Sequence, residues 1–382
     1  MNIEKIHKEE YGKLPKIISR APGRVNIIGE HTDYNGGYAL PVAINRYIDV
    51  ALSPRKDPLV RVYSGNFKKR GEFTTRELEP SEEDELWLRY VKGAFWVLEE
   101  AGIPLYGSDM TIVGNIPIGS GLSSSAALLV SLIFALISYA GVSYEKDAIP
   151  LYAQRVENRY IGVNCGLMDQ TISVFGKRNK ALFIDFKTMD FSYVPFELKE
   201  RTLLVFDTKA KRSLATSFYN KRRKECEEAL SIINRCLQRN YNYLGEVKRE
   251  EFLSCREKLP HPLDKRAEHV IFENERVVEA THLLESGDID GLGKLLFTTH
   301  KSLSELYEVS SFELDTAVSL AQDFGAIGAR MTGAGFGGCT INILDREREE
   351  EFIGYIEKRY RDTTGIIPSI YRVEVTDGAT LL

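Results

Sequence analysis

Between Ala21 and Pro41 the chain reads APGRVNIIGEHTDYNGGYALP, which sets Arg24, Glu30, His31 and Asp33 within ten positions. Two carboxylates and an imidazole side by side can accept from and donate to several hydroxyls at once, which is what recognition of a polyol requires. A surface turn would use Gly23, Gly29, Gly36 and Gly37 but has no need of an ordered Glu-His-x-Asp run. The plainer alternative is a glycine-rich connection between two strands, its charges solvated.

A second motif, IPIGSGLSSSAALL, runs from Ile116 to Leu129. Gly119 and Gly121 carry no Cβ, so the backbone can curl closely around a ligand. Ser123, Ser124 and Ser125 then supply hydroxyls where an apolar helix should begin. A helix N-terminus offers free N–H groups and partial positive charge, and phosphate suits both. No Lys follows the glycines, so this is not a Walker A loop, and a third Gly is missing for G-x-G-x-x-G. A serine-capped helix after a tight turn is the plainer reading, but one serine would serve it.

The third motif, MTGAGFGGCTINI from Met331 to Ile343, places Gly333, Gly335, Gly337 and Gly338 before a β-rich run. It reads equally as a flexible hairpin or as backbone brought against the phosphate loop. Between the last two motifs lies VENRYIGVNCGLMDQ, with Glu157 on an expected helix and Asp169 in an expected loop beside Gly166 and Gln170. A phosphate site needs a cation, and Mg²⁺ takes oxygen ligands in octahedral array, for instance a serine hydroxyl and one carboxylate. Spacing leaves Glu157 and Asp169 as equal candidates. Either could instead be an ordinary surface acid among the chain's 55.

These residues must be positioned by a chain of 382 residues, long enough for two domains, divided near residue 200 into 1–200 and 201–382. Apolar residues at 43% and charged residues at 27% mark a soluble globular protein, and a net charge of −5 argues against nucleic acid or an anionic membrane as partner. The basic run Lys221–Lys224 alternates with Glu225, Glu227 and Glu228 and reads as a solvated helix face. Five scattered cysteines without a C-x-x-C pair suggest neither a disulfide framework nor a zinc site. The polar N-terminus is no signal peptide, so a cytoplasmic protein is expected. Ala126–Ala140 is almost wholly apolar, yet it falls short of the roughly 18 residues of a membrane span and runs into Gly141, a C-cap. It is expected to be a buried helix.

Short β-rich runs are expected at Ile17–Ser19, Tyr38–Ala43, Tyr47–Leu52, Val60–Tyr63, Ser108–Val113 and Ala181–Ile184. Helical spacing marks Leu86–Ala101, Ala148–Tyr160, a segment around Ala229–Leu237, His269–Leu284 and Ser310–Phe324. Two closing strands, Cys339–Leu344 and Ser369–Val375, flank a charged helix.

In this order the three motifs resemble the GHMP kinase superfamily, which includes homoserine, mevalonate and phosphomevalonate kinases. Within it the likeness is greatest to the galactokinase family, whose motif GRVNIIGEHTDYNGGYALP resembles almost residue for residue. The similarity extends over essentially the whole chain, through CGLMDQ, FYNKRRKECEEA around Tyr219, RAEHVIFENERV at Arg266–Val277 and MTGAGFGGC. The resemblance implies an α+β, two-domain fold with mixed sheets packed against helices and the active site in the cleft between the domains. It implies ATP-dependent phosphorylation of D-galactose at the C1 hydroxyl, by a monomer or weak homo-oligomer with no nucleic-acid or membrane partner. Glu30, His31, Thr32 and Asp33 would hold the sugar, joined by Tyr219. Gly119, Ser120, Gly121, Leu122, Ser123, Ser124 and Ser125 would wrap the ATP phosphates, with Ser64 near the nucleotide. Ser125 and Glu157 would hold Mg²⁺, Asp169 would face the C1 hydroxyl as base, and Arg24 would stand beside it. No departure from the family pattern occurs at these positions.

Two other readings compete. A galactose- and ATP-binding sensor without catalysis would carry damage in the serine loop, whereas Ser124-Ser125-Ala126-Ala127 is intact. A kinase for N-acetylgalactosamine or arabinose is opposed by the string from Thr32 to Gly37.

Overall fold

The computed structural model describes residues 2–210 and 215–382. A six-stranded sheet has the order β13 (Thr380–Leu381), β1 (Ile17–Asn26), β3 (Pro41–Pro54), β6 (Ser108–Gly114), β4 (Leu59–Ser64), β5 (Lys69–Thr74). A four-stranded sheet runs β10 (Gly328–Thr332), β11 (Cys339–Asp345), β9 (Arg201–Asp207), β12 (Ser369–Val373), and a three-stranded one β2 (Tyr38–Ala39), β7 (Lys180–Asp185), β8 (Phe191–Pro195). Neighbouring strands are antiparallel except for the β4–β6 pair, so the sheets are mixed. The helices are α1 (Ile3–Tyr11), α2 (Leu86–Glu100), α3 (Ser124–Ala140), α4 (Ala148–Arg155), α5 (Met168–Phe175), α6 (Ala215–Leu237), α7 (Arg249–Cys255), α8 (Leu263–Ser286), α9 (Ile289–Glu305), α10 (Phe312–Phe324) and α11 (Glu349–Thr364).

The expected β runs at Tyr38–Ala43 and Tyr47–Leu52 merge differently: β3 passes unbroken through Asn45 and Arg46. β1 extends through the Pro22-Gly23 step, where its pairing with β3 slips by a bulge. The sugar motif therefore begins inside a central strand, and a bulge there re-aims the side chains that follow it. The expected helix Ala148–Tyr160 changes at Val156 into a π-helical stretch, Val156–Ile161, that carries Glu157. Single π turns inside helices are frequent at functional sites. Asp169 lies in the first turn of α5 rather than in a loop.

Helix α3 is buried on nearly every face and ends on Gly141 in the left-handed conformation, as its sequence predicts. Among the described residues no helix is long and apolar enough to cross a membrane. The core around α3 is continuous. It gathers Ala21 and Val25 of β1, Leu129 and Ile133 of α3, and also Leu203, Val205, Ile341 and Ile343 from the second sheet. The chain's final strand returns to the first sheet, with Leu382 N–H donating to Ile18 O at 2.8 Å.

Two expectations from charge and cysteine pattern fail. Arg222 and Glu225 are not solvated: both are buried, and with Arg266 they form a paired cluster that also grips the backbone carbonyls of Leu306, Tyr307 and Glu308. A helix can carry a charged outer face and still bury one ion pair where a neighbouring helix supplies the third charge. Cys236 and Cys255 form a disulfide across the ends of α6 and α7. Their separation of 19 residues gave no motif, because a turn between two helices brings them together.

Candidate active site

A cavity of about 330 Å³ lies where β1, α5, α6 and the turn after β10 meet, and Arg24, Glu30, His31, Asp33, Ser125, Glu157, Asp169 and Tyr219 line it. A second cavity, of about 490 Å³, lies beside α2 and includes Ser64, Ser124, Trp87 and Tyr90. Ser125 borders both, so the phosphate-loop motif stands at the junction of the two spaces.

The centre of the first cavity is an ion pair. Arg24 reaches Asp169 through Nε–H to Oδ1 at 2.9 Å and Nη2–H to Oδ2 at 3.1 Å, a two-point geometry that fixes the carboxylate plane. The third arm of the guanidinium donates to Gly121 O at 2.6 Å, tying β1 to the phosphate loop. Gly121 makes that turn with φ +81°, which a side chain would strain. Ser123 precedes α3 in the left-handed conformation and makes no side-chain cap. Its hydroxyl donates instead to Asp169 Oδ2 at 2.5 Å. The Asp169 side chain remains 31% exposed, open to the cavity.

The sugar motif folds as a tight loop after β1. Glu30 is buried, and its carboxylate accepts from Asn26 at 2.9 Å, from Gly333 N–H at 2.7 Å and from Arg330. The third glycine motif thus meets both other motifs, since a Cβ on Gly333 would lie 3.3 Å from Gly121 O. His31 has φ +64°, unusual for a side-chain-bearing residue, and Asn35 holds its carbonyl at 2.8 Å. Burial, with His269 nearby, pushes its imidazole down to about 3, so the ring is neutral. Its Nε2 sits 3.1 Å from Ala334 O; a carbonyl can only accept, so Nε2 carries the hydrogen. Nδ1 then accepts from Tyr34 at 2.9 Å, Tyr34 from Tyr307 at 2.7 Å, and Tyr307 from the Cys226 thiol at 3.1 Å.

His31 therefore borders the cavity with both ring nitrogens engaged by Tyr34 and Ala334. Thr32 is fully buried and its hydroxyl lies 2.9 Å from Gly29 O and 2.6 Å from Tyr38 O; it closes the loop and does not reach the cavity. Ser120 is also turned away, donating to Pro117 O at 2.7 Å. Leu122 is a buried apolar side chain whose carbonyl accepts from Arg24 N–H at 3.2 Å.

Asp33 faces the open space, pressed against Gly166: a Cβ there would fall 1.7 Å from Asp33 Oδ2. Burial, with Asp169 and then Glu30 adding negative charge, pushes the Asp33 carboxyl up to about 7. Tyr219 closes the opposite wall, its ring 5.5 Å from His31 and 5.2 Å from Tyr34. Glu157 is buried beside Ser125, Cys165 and Gln170; burial pushes its carboxyl up against the pull of the Ser125 hydroxyl. Gln170 donates to Glu157, and its own Oε1 is buried without a partner among the described residues. Among the described residues no three His, Cys, Asp or Glu side chains cluster as a metal cage.

Sequence reasoning missed Trp87 and Tyr90. Tyr90 sat in the helical repeat of α2 as one more core residue, and nothing in a single helix says that its apolar face borders a cavity.

Residues 5–54 match the galactokinase galactose-binding signature, residues 89–177 the GHMP kinase N-terminal domain, and residues 280–362 the GHMP kinase C-terminal domain. A galactokinase of Roseiflexus sp. is 40% identical over 97% of this chain and 94% of its own length. The chain belongs to the galactokinase family. A Bacillus subtilis family member is 39% identical over 94% of this chain and 93% of its own. The Lactococcus lactis galactokinase solved in complex with galactose superposes with a TM-score of 0.94 at 36% identity, covering 99% of this chain and 98% of that one. A Methanococcus jannaschii mevalonate kinase, at 20% identity and TM-score 0.70, covers 94% of this chain and 98% of its own and shares the fold. The family's two-domain α+β architecture is that of this chain.

Proposed function

We infer that this protein transfers the γ-phosphoryl group of ATP to the C1 hydroxyl of D-galactose, giving α-D-galactose 1-phosphate and ADP. One coincidence carries the reading. The stretch matching the galactose-binding signature walls the same cavity as the Arg24–Asp169 pair and abuts the phosphate loop.

Phosphoryl transfer needs little covalent help from a protein and depends on positioning and charge neutralisation. Asp33, Glu30 and Tyr219 would take the sugar hydroxyls, Asp33 with a carboxylate that faces the cavity and Glu30 from a position fixed by Arg330. Asp169 would meet the C1 hydroxyl. With both oxygens held by Arg24 and Ser123, it aims the acceptor oxygen and receives its proton as the bond to phosphorus forms. Arg24 keeps its charge throughout and stabilises charge on the transferring group. The free N–H groups at the start of α3 suit the ATP phosphates. The base would lie in the second cavity, against Trp87 and Tyr90 and near Ser64.

The donor set fits Mg²⁺. Ser125 and Glu157 offer oxygen only, the partnerless Gln170 Oε1 stands beside them, and a hard cation completes its shell with phosphates and water. Bound there, Mg²⁺ would offset the negative charge of the ATP phosphates. The halves 1–200 and 201–382 serve as the two domains, with the final strand returning to the first. A monomer or weak homo-oligomer in the cytoplasm, where ATP is supplied, fits this reaction.

ADP release with MgATP and a panel of galactose, glucose, N-acetylgalactosamine and arabinose tests the reading. Galactose should be turned over with the highest kcat/KM. Binding of galactose without ADP release would make the protein a sensor, and a faster reaction with another sugar would reassign the substrate.

A further inference from the structure

The segment RAEHVIFENERV lies on α8, outside the cavity, yet one of its faces grips the sugar loop by the backbone. His269 donates through Nε2 to Glu30 O at 3.2 Å. One turn further, Glu273 Oε1 accepts from Gly29 N–H at 2.9 Å, and Asn274 Oδ1 accepts from Tyr38 N–H at 3.0 Å. Spacings of four and five put all three on one side of the helix. They take hold of the loop immediately before, at and after its chemistry-bearing residues.

The grip is itself braced. Arg276 donates to Glu273 Oε2 at 2.7 Å and to Ser302 Oγ at 3.2 Å. Ser302 then donates to His269 Nδ1 at 2.8 Å, which leaves Nε2 as the nitrogen with the hydrogen and fixes the tautomer that Glu30 O requires. Thr299 adds a third bond to Glu273, at 3.1 Å. Glu273 and His269 are fully buried. Burial pushes the Glu273 carboxyl up, but Arg276, His269 and Arg330 outweigh it and hold the group below the usual carboxylate range. A buried, charged acceptor on a neutral peptide N–H is a strong bond, and it would leave an unpaired buried group if broken.

We propose that His269, Glu273 and Asn274, braced by Arg276 and Ser302, are positioning residues for the sugar: they set the backbone of Gly29, Glu30 and Tyr38 and thereby aim Glu30 and Asp33 at the hydroxyls. None of them lines the cavity, so they act through the loop alone. The inference rests on the sugar reading of the first cavity. It predicts an effect confined to one substrate, because the ATP-facing elements α2 and α3 hang on other contacts.

The test is steady-state kinetics on wild type, Glu273→Gln and Ser302→Ala, with galactose and ATP varied in turn and folding checked by thermal melting. Gln keeps an acceptor for Gly29 but presents an NH₂ to donors on its other side. Galactose KM should rise about tenfold or more in Glu273→Gln and about threefold in Ser302→Ala, with ATP KM within about twofold of wild type. A folded variant with unchanged galactose KM, or one in which both KM values rise together, overturns the proposal. If Glu273→Gln does not fold, Ser302→Ala decides by the same criterion. If the wild type instead phosphorylates a different sugar, the functional reading fails separately, and the KM for that sugar then decides the clamp.

Discussion

Asp33 should make galactose binding depend on pH near neutrality. Its carboxyl is pushed up to about 7 by burial and by Asp169 and Glu30. A sugar hydroxyl donates to the ionised form and finds half the acceptor capacity in the acid. If binding requires the anion, the apparent KM scales as one plus the ratio of proton concentration to the acid constant. Galactose KM should then rise roughly tenfold from about pH 8 to about pH 6, while ATP KM stays nearly flat. The sign for stability is opposite to that of an ordinary paired acid. The folded protein holds this proton more tightly than the unfolded chain, so stability from this group falls as pH rises from about 4 to about 7 and stays low above. Ionising it in place costs the ligand-free fold up to about 4 kcal/mol, taking about 1.4 kcal/mol per unit between 3.8 and about 7. Asp33→Asn should therefore melt higher than wild type at about pH 8, bind galactose at least about tenfold more weakly, and lose the pH slope. The assay is galactose KM at saturating MgATP across this range for both proteins, with melting curves of each in the absence of sugar. A wild-type KM that stays flat, or an Asn variant that keeps the slope, refutes the reasoning.

Three further outcomes follow from the same geometry. Asp169→Asn should lower kcat by about 10² to 10⁴ with galactose binding largely kept, measured by initial rates and by calorimetric titration; kcat above about a tenth of wild type would move the role elsewhere. Ser125→Ala and Glu157→Ala should each raise the Mg²⁺ concentration needed for half-maximal rate, and less than additively together, because both serve one ion; a strictly additive double-mutant cycle would separate them. Gly166→Ala puts a methyl 1.7 Å from Asp33 Oδ2 and must displace that carboxylate, so galactose KM should rise while the melting temperature changes little. Unchanged galactose affinity would show that Asp33 has room the geometry denies it.

The residues that carry chemistry were legible in the sequence because their types make little sense as turn formers. Glu30, His31 and Asp33 stand in one loop where glycines alone would have sufficed. What the sequence could not display was direction. Ser123 looks like a helix cap, and a left-handed backbone sends its hydroxyl to Asp169 instead. His31 looks like a donor to sugar, but Ala334 and Tyr34, 303 and 3 positions away, take both nitrogens. Arg222 reads as solvated because its partners Tyr307 and Glu308 lie outside its own helix. Strands β5 and β8 escaped notice as short edge strands with polar or mixed composition, the kind that tertiary pairing creates more than propensity does. Motifs local in sequence could be read early; contacts hundreds of residues long could not.

The unbroken core has a mechanical consequence. Strands from both sides of the cleft, β1 and β11 among them, pack into one apolar cluster, and Thr332 and Asn26 exchange bonds of 3.1 Å in each direction across the seam. A clamshell swing of one half against the other would have to pull that cluster apart and expose buried β-branched side chains to water, against the full cohesive free energy of the interior. Sugar and nucleotide must therefore come and go past a nearly rigid frame, through small excursions of the cavity's rim. The shared core ties the two halves together, and opening of the cavity falls to the loops and side chains at its rim.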